Sequence, residues 1–343
     1  MSVEVFLDDT PGEVRGVVVR DGRFEHLLIQ REDGVAEHRL GARCVGRIAE
    51  VHPGLKGAFV DLGPILHGFL PFRGQDRLTV GQKVEVEVSA EPREGKGPTL
   101  RLIGAGEGAP RLLSPGPTVA GTLARLAPGI EPVMGLAAIQ AGWDAEEEAG
   151  WPGELFMDTG LDLRVERTRA LIAVDLDLAP APGVAFGAAA RTRANRQGLH
   201  AAARMIRLKR WGGLVAIDLI GAGQDGDSAI AAAKEAFAGD PDVVFGPVNR
   251  FGVLQLALPW RRTPLEEVLN GQDRRRRPGQ RAQDIVRSLR FALLSDTTIP
   301  RITVRAARED AALAAPLVAR LGPRAHLESD PAIAPGAFLI EDR

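Results

Sequence analysis

Five short β-strand patterns follow one another between residues 43 and 103, and they limit the possible folds more than any other feature of the chain. Apolar and polar residues alternate within them, as expected for half-buried strands. So many short strands in so small a stretch are more typical of a closed barrel than of an open sandwich. The predicted strands span residues 45–51, 57–62, 68–72, 83–90 and 98–103.

Two phenylalanines on the predicted barrel carry the first functional signal. Phe59 and Phe69 lie in alternating strand patterns, close in sequence to Arg47, Lys56 and His67. Aromatic rings beside basic groups on a barrel surface bind single-stranded nucleic acid, because each stacked base contributes roughly 1–3 kcal/mol whatever its identity. The alternative is that both rings belong to the barrel core.

Two apolar strand patterns farther along the chain each end in an aspartate, Asp175 and Asp218. Carboxylates at corresponding ends of neighbouring strands repel each other unless a cation lies between them, and Mg²⁺ commonly takes one or two carboxylates and keeps several waters. Asp177 adds an oxygen donor on the same strand face as Asp175, since side chains repeat with a period of two. The alternative is two unrelated aspartates in turns or helix caps.

The helix predicted at 188–210, between the two aspartates, has many basic residues and no acid. Beside a metal site such a run forms a phosphate-positioning surface, whereas elsewhere it is a solvated helix face. The basic residues are Arg191, Arg193, Arg196, Arg204, Arg207, Lys209 and Arg210.

Strand and helix patterns alternate over the second half of the chain, which predicts an α/β layer and an α+β multidomain protein. Near the start, Asp21-Gly22 predicts a hairpin within residues 14–29. The other predicted elements are helices at 137–149, 228–237, 283–294 and 311–320, and strands at 214–220, 243–258, 302–305 and 337–340.

Composition narrows the class of protein. The chain has 343 residues, 45% of them hydrophobic and 26% charged, which suits two to three globular domains. A net charge of −2 means that any RNA-binding surface is local. The single cysteine, Cys44, excludes an intrachain disulfide and a multi-cysteine zinc site. We expect a cytoplasmic protein without a membrane partner, because the first residues do not form a signal-peptide pattern and no apolar run is long enough to cross a bilayer.

Several of these segments resemble the ribonuclease E/G family, in the same order along the chain. The first three resemble its S-one-type OB module, and the last three resemble its catalytic block. The segments are GRIAEVHPGLKGAFVDLG at 46–63, HGFLP at 67–71, REGKGPTL at 93–100, ERTRALIAVDLD at 166–177, the run 195–221 and NRFGVLQL at 249–256.

The resemblance implies roles for particular residues. Asp175 and Asp218 are expected to bind Mg²⁺, which Mn²⁺ can replace, and Asp177 stands where the family has a supporting Asn. These three aspartates form the expected catalytic set. The residues expected to contact RNA are Phe59, Phe69, Lys96, Arg47, Arg191, Arg193, Asn195 and Arg250.

The resemblance also implies a domain order. An N-terminal hairpin region at 1–42, completed by 104–165, is expected to be a remnant of an RNase H-like domain. The later domains are an OB fold at 43–103, a DNase I-like metal-binding domain at 166–265, a basic linker at 266–282 and a small α/β domain at 283–343.

The chain departs from the family pattern at several points. The motif of the family's sensor for RNA 5′-monophosphate ends is missing, and residues 260–280 replace its zinc-linking cysteines. We therefore expect no zinc, and any homo-oligomer is expected to form without a zinc link. LAPAPGVAFG at 178–187 replaces a basic stretch, and Gly221 stands in place of an acid. The RRRR run at 274–277 is interpreted as an RNA contact or as a solvated loop.

The function implied is that of a Mg²⁺-dependent endoribonuclease that cleaves single-stranded RNA during RNA processing or decay, including ribosomal RNA maturation. The alternative is a non-catalytic RNA-binding protein that retains the fold. The changes after Asp177 and at Gly221 are the reason to keep that alternative.

Overall fold

The computed structural model describes residues 2–63, 67–72, 78–178, 187–221, 226–271 and 275–342. The chain is mixed α+β and divides into two compact units. Residues Met1–Glu146 and Arg262–Arg343 form the first unit, and Glu147–Arg261 form the second. Most of LAPAPGVAFG and Arg274 of the RRRR run lie outside the described residues.

The strands are named in chain order. They are β1 (Val3–Asp8), β2 (Glu13–Arg20), β3 (Arg23–Arg31), β4 (Arg43–His52), β5 (Gly57–Asp61), β6 (Gly68–Pro71), β7 (Lys83–Ala90), β8 (Thr99–Ala105), β9 (Arg111–Ser114), β10 (Gly153–Phe156), β11 (Leu161–Arg167), β12 (Ile172–Leu178), β13 (Gly213–Asp218), β14 (Val244–Val248), β15 (Val253–Leu258), β16 (Ile302–Ala306), β17 (Ala325–Ser329) and β18 (Phe338–Asp342).

The α-helices are named in the same way, and α2 contains the boundary between the units. They are α1 (Val119–Leu126), α2 (Leu136–Gly150), α3 (Ala188–Lys209), α4 (Gly226–Ala236), α5 (Leu265–Leu269), α6 (Pro278–Ser295) and α7 (Arg308–Val318). No helix in the described ranges is both long and apolar enough to cross a membrane.

The first unit begins with an antiparallel sheet in the order β1-β2-β3. The predicted hairpin is confirmed: Asp21 and Gly22 join β2 to β3 with φ angles of 47° and 75°. These positive angles are those of a two-residue turn whose twist matches the strands. Helix α1 covers the sheet, and Val119 and Leu123 share its buried cluster.

The predicted barrel is confirmed as a five-stranded closed barrel. Strands β4-β5-β6-β8-β7 pair in that order, β7 and β5 both pair with β4, and β9 adds to the outside of β4. This arrangement is compatible with an OB fold. Alternate residues fill the interior, among them Ile48, Val60, Leu70, Val86 and Leu100, each at most 2% exposed.

The C-terminal part of the first unit is a sheet in the order β17-β16-β18, packed with α6 and α7. Helix α6 also carries Arg287, which is fully buried and bonds to Asp8 at 2.7 Å and to Glu13 at 3.1 Å. The predicted linker contains α5, and its Arg276 pairs with Glu146 and Asp284. Part of the basic run is therefore tied to acids of the unit.

The second unit is a six-stranded sheet in the order β10-β11-β12-β13-β15-β14. Its neighbouring strands are antiparallel except β12 and β13, which are parallel and joined through α3. Helices α3 and α4 share a buried cluster with one face of the sheet. Because β10 and β11 belong to this sheet, the unit begins earlier than the 166–265 range predicted from the sequence.

Candidate active site and nucleic-acid interface

Two carboxylates meet at one edge of the second unit's sheet. Asp175 near the end of β12 and Asp218 at the end of β13 are direct partners in the register of the parallel pair. Neighbouring strands lie about 4.8 Å apart, so both side chains are within reach of one ion. Both are exposed, whereas Val174 and Ile217 beside them are buried under the helices. The alternation of the strands therefore puts the two acids on the face opposite α3 and α4.

Two further aspartates border the pair on the same sheet. Asp162 of β11 is the register partner of Asp177, and Arg164 is the register partner of Asp175. The Arg164 Nε lies 3.4 Å from a carboxylate oxygen of Asp162. One Asp177 oxygen accepts a hydrogen bond from the backbone N–H of Leu178 at 2.7 Å. Asp177 is therefore partly used to shape its own strand.

The pKa of Asp175 is raised above its ordinary value of 3.8. Desolvation by burial is the largest cause, followed by the negative charges of Asp218, Asp177 and Asp162. The raised pKa means that the ionised form of Asp175 is disfavoured in the folded protein. A cation at this edge would relieve that cost.

The donor set fits a hard divalent cation held partly by water. Asp175 and Asp218 supply oxygen ligands of the kind that Mg²⁺ prefers, and Mg²⁺ commonly binds through one or two carboxylates and keeps several waters. No group of three or more His, Cys, Asp or Glu side chains is arranged to hold a metal ion in the part of the chain that the structure describes. Among the described side chains, Asp175 and Asp218 therefore form a carboxylate pair at this edge.

The basic residues of helix α3 differ in their surroundings between its first and second halves. Asn195 in the first half of α3 bonds to Ile220, two residues after Asp218, and the same half of the helix carries Arg191 and Arg193. Arg193 is exposed, with Asp158 at 3.5 Å. In the second half, Arg204 is 8% exposed and pairs with Glu148 and Glu154.

Two more basic residues of that second half are also committed to the fold. Lys209 donates to the carbonyl oxygens of Ala149 and Trp151, both at 2.6 Å, and Arg207 pairs with Asp240. These side chains stabilise the unit. Arg191 and Arg193 lie in the first half of the helix, within four residues of Asn195.

Asn195 supports the site from below the surface. It is 5% exposed, and its amide accepts from the backbone N–H of Ile220 at 2.9 Å and donates to the Ile220 carbonyl at 3.2 Å. Ile220 follows Asp218 by two residues. Asn195 was expected to contact RNA, but its buried amide is instead bonded to the backbone that follows Asp218.

Phe59 and Phe69 form an aromatic pair outside the barrel core. They are register partners on β5 and β6, and their ring centroids are 5.5 Å apart in an edge-to-face arrangement. Both are half-buried, whereas their neighbours Ala58, Val60 and Leu70 are buried inside the barrel. This placement favours the stacking interpretation over the core one. His52 extends the pair, with its ring centroid 5.4 Å from that of Phe59.

The positions of these rings match the binding face of OB folds, which use the second and third barrel strands and the loops after the first and fourth strands. Phe59 and Phe69 lie on the second and third strands. Lys96, 73% exposed, lies in the loop between the fourth and fifth, with Glu94 at 3.8 Å. Arg47 is 58% exposed on the first strand, with Asp61 at 3.5 Å.

Gly57 makes room for the aromatic pair. A Cβ atom at this position would lie 2.3 Å from Cζ of Phe69 and 2.9 Å from the carbonyl oxygen of Leu70. Such distances are not tolerated by packed atoms, so the absence of a side chain allows the Phe69 ring to lie on the strand.

Arg250 lies in the turn between β14 and β15. This turn is next to the carboxylate edge, because Asp218 is the register partner of Val253 at the start of β15. Arg250 is exposed, and its guanidinium carbon lies 4.7 Å from the ring centroid of Phe251.

Sequence reasoning missed Asp162 and His52. Asp162 belongs to a period-two pattern with Arg164 and Glu166, which was a signal that a polar strand face continued the site. His52 ends β4, and only the barrel register brings it to Phe59.

Comparison with known proteins links the chain weakly to one enzyme. Ribonuclease E of Haemophilus influenzae is 36% identical over 104 aligned residues, which cover 25% of this chain and 11% of that protein. No protein-family model matches the chain. The chain thus spans about a tenth of its relative's length, and the match supports a relationship to ribonuclease E without defining the activity of this protein.

Proposed function

We propose that the protein is a Mg²⁺-dependent endoribonuclease of the ribonuclease E/G type that cleaves single-stranded RNA. The observation that carries the proposal is the direct register of Asp175 and Asp218 on neighbouring parallel strands. Ligands of open α/β sheets bind outside the carboxyl ends of the strands, which is where this pair lies. The proposal takes the second unit as the DNase I-like layer and residues 1–42 as the RNase H-like remnant that the resemblance implies.

The metal and the side chains have separate tasks in this proposal. A bound Mg²⁺ would lower the pKa of a coordinated water and offset negative charge on the phosphate. Asp175 and Asp218 hold the ion, with Asp177 as a supporting oxygen donor. Arg191 and Arg193, at the beginning of α3, attract the phosphate backbone to the same edge. Cleavage of this type leaves a 5′-phosphate and a 3′-hydroxyl.

The barrel supplies the affinity for single strands. Phe59 and Phe69 present ring surface outside the core, and Lys96 and Arg47 add exposed positive charge. Stacking on aromatic rings tolerates any base, so the barrel binds RNA with little sequence preference. The similarity to ribonuclease E supports RNA as the substrate.

A non-catalytic RNA-binding protein is the second candidate. The reasons to keep it are the departures from the family pattern after Asp177 and at Gly221. The hydrogen bond from Leu178 to Asp177 also occupies one of the supporting carboxylate oxygens.

The deciding experiment is Mg²⁺-dependent cleavage of a short fluorescent single-stranded RNA by the purified protein. We expect cleavage with Mg²⁺ or Mn²⁺, none with EDTA, and products that carry a 5′-phosphate. The Asp218→Asn protein, purified in parallel, shows whether a contaminating nuclease contributes. Specific RNA binding without metal-dependent cleavage on any RNA tested would establish the second candidate.

A further inference from the structure

Phe251, on the turn between β14 and β15, is an exposed aromatic ring that belongs neither to the carboxylate pair nor to the barrel surface. Its side chain is 69% exposed, more than most large apolar residues of the chain. Large rings are usually buried because leaving them in water is unfavourable. Because Phe251 is exposed beside the candidate active site, its ring is available to a ligand bound there.

The turn that carries Phe251 is held by local hydrogen bonds. The side-chain oxygen of Asn249 accepts from the backbone N–H groups of Phe251 at 2.9 Å and Val253 at 3.1 Å. Gly252 follows with a φ of 86°, a conformation that favours glycine. The backbone beneath the ring is thus fixed before any ligand arrives.

The neighbouring Arg250 completes an aromatic and cationic surface. Its guanidinium carbon lies 4.7 Å from the Phe251 ring centroid, which is the geometry of a cation–π contact. Arg250 lies against one part of the ring, and the high exposure of Phe251 leaves ring surface open. Rings combined with arginine are the elements that bind unpaired bases.

The turn lies next to the carboxylate pair. Asp218 is the register partner of Val253, and the backbone N–H of Leu219 donates to the Gly252 carbonyl at 3.4 Å. Two residues of strand rise and one strand spacing separate Phe251 from Asp218, a Cα distance on the order of 10 Å. A nucleotide whose phosphate lies at the carboxylates can reach the ring.

We propose that Phe251 stacks the base of a nucleotide adjacent to the scissile phosphate and so positions that phosphate at Asp175 and Asp218. This inference rests on the proposed function, because it takes single-stranded RNA as the substrate. It assigns the second unit a base contact of its own, separate from the barrel. Since stacking uses the ring face, the contact requires a base but not a particular base.

Cleavage kinetics on RNAs with a single abasic nucleotide test this directly. The abasic site is moved one position at a time along the strand. With the native protein, kcat/KM falls by about 5- to 100-fold when the lost base is the one that Phe251 stacks. Phe251→Ala lowers kcat/KM on the intact RNA by a similar factor and is insensitive to an abasic site at that position, because both changes remove one contact.

Two further variants serve as controls. Phe251→Trp retains a ring and keeps at least half of the native rate by this argument. Met157→Ala removes a side chain that is 73% exposed, in the segment joining β10 to β11, and leaves the rate unchanged. An unchanged rate for folded Phe251→Ala, or the same abasic sensitivity as the native protein, would overturn the inference.

A binding measurement separates this inference from the proposed catalysis. The full chain is irradiated in EDTA with single-stranded RNA that contains one photoreactive thiouridine, and the linked residue is identified by mass spectrometry. Trypsin cleaves after Arg250, so the relevant peptide begins at Phe251. Crosslinking to Phe251 by a protein that never cleaves RNA supports the stacking and rejects the catalysis. Crosslinks confined to the barrel in an active protein reject the stacking alone.

Discussion

The barrel surface formed by Phe59 and Phe69 and the carboxylate edge formed by Asp175 and Asp218 are two candidate RNA sites. They differ in whether the site is complete without a further component. On the barrel, Phe59 and Phe69 contact each other and Phe69 lies over Gly57, so the surface is complete without a ligand. At the edge, Asp175 and Asp218 are direct partners of like charge, and the pKa of Asp175 is raised. The proposed RNA binding thus uses a preformed surface, whereas the proposed chemistry depends on an ion that the protein must bind.

The largest effect is expected when one negative charge is removed at the carboxylate edge. It distinguishes the role of this edge from that of the barrel surface. Asp175→Asn and Asp218→Asn each lower Mg²⁺-dependent cleavage by at least about 100-fold, because several kcal/mol of transition-state stabilisation depend on the ion. RNA affinity in EDTA stays within about twofold, since the barrel supplies it. Cleavage assays and fluorescence anisotropy measure the two quantities.

Asp162→Asn is the matched control for that experiment. It removes a carboxylate from the same sheet face but outside the register pair, so its effect on cleavage is expected to be small. Asp177→Asn restores the residue typical of the resembled family and is expected to keep or raise activity. Native rates in both Asp175→Asn and Asp218→Asn would place the activity elsewhere.

The second-largest effect is expected on RNA affinity, from substitutions on the barrel surface. Phe59→Ala and Phe69→Ala each reduce RNA affinity by about 1–3 kcal/mol, while cleavage at saturating RNA changes little. Phe72→Ala is the control, because Phe72 packs against the barrel core and its loss lowers the free energy of unfolding instead. Unchanged affinity in a folded Phe59→Ala/Phe69→Ala protein would return both rings to the core interpretation.

A third test concerns Asn195, which bonds to the backbone of Ile220 after Asp218. Asn195→Ala leaves the backbone N–H and carbonyl of Ile220 without their side-chain partners, which costs about 1–3 kcal/mol of unfolding free energy. Chemical denaturation measures this cost. Arg193→Ala, an exposed change in the same helix, leaves stability nearly unchanged. Equal stability of both variants would show that the Asn195 bonds do not hold the segment.

The smallest effect is a pH dependence of the metal-free protein. Because the folded-state pKa of Asp175 is raised, its contribution to stability is present below its ordinary value of 3.8 and is lost as the pH rises through the folded value. The native protein in EDTA therefore loses stability relative to Asp175→Asn over that rise, and Mg²⁺ restores it. Solvent screening keeps the difference small, since the side chain is exposed. The prediction is contradicted if the free energies of unfolding of the native protein and of Asp175→Asn, measured side by side in EDTA, keep the same difference at every pH.

Local patterns were sufficient to predict much of the fold. Asp21-Gly22 fixed the first hairpin, and strand alternation located the barrel strands, because both depend on neighbours in sequence. Strand β10 and the pairing of β11 were not predicted. Strand β10 lies at the edge of its sheet and has only four residues, Gly153–Phe156, which are too few to show a clear alternation of apolar and polar positions.

The site was predicted less completely, for a related reason. Asp175 and Asp218 follow apolar strands, so their pairing was predictable from two local patterns. Asn195 and Arg204 look like exposed polar residues of a helix, and only packing shows that both are buried. Whether a polar side chain faces RNA or the interior depends on the helix face that meets the sheet, which the arginine-rich sequence of α3 does not reveal.

Gly57 also determines how far the stacking surface stands out from the barrel. The ring of Phe69 occupies the volume that a methyl group at position 57 would need. A methyl group at position 57 would displace the Phe69 ring and change its contact with Phe59. The surface on which a base is proposed to stack would change with it. The position of the Phe69 ring on this candidate stacking surface thus depends on the absence of a side chain at position 57. Substitutions there offer a way to change the proposed affinity for RNA without replacing either ring.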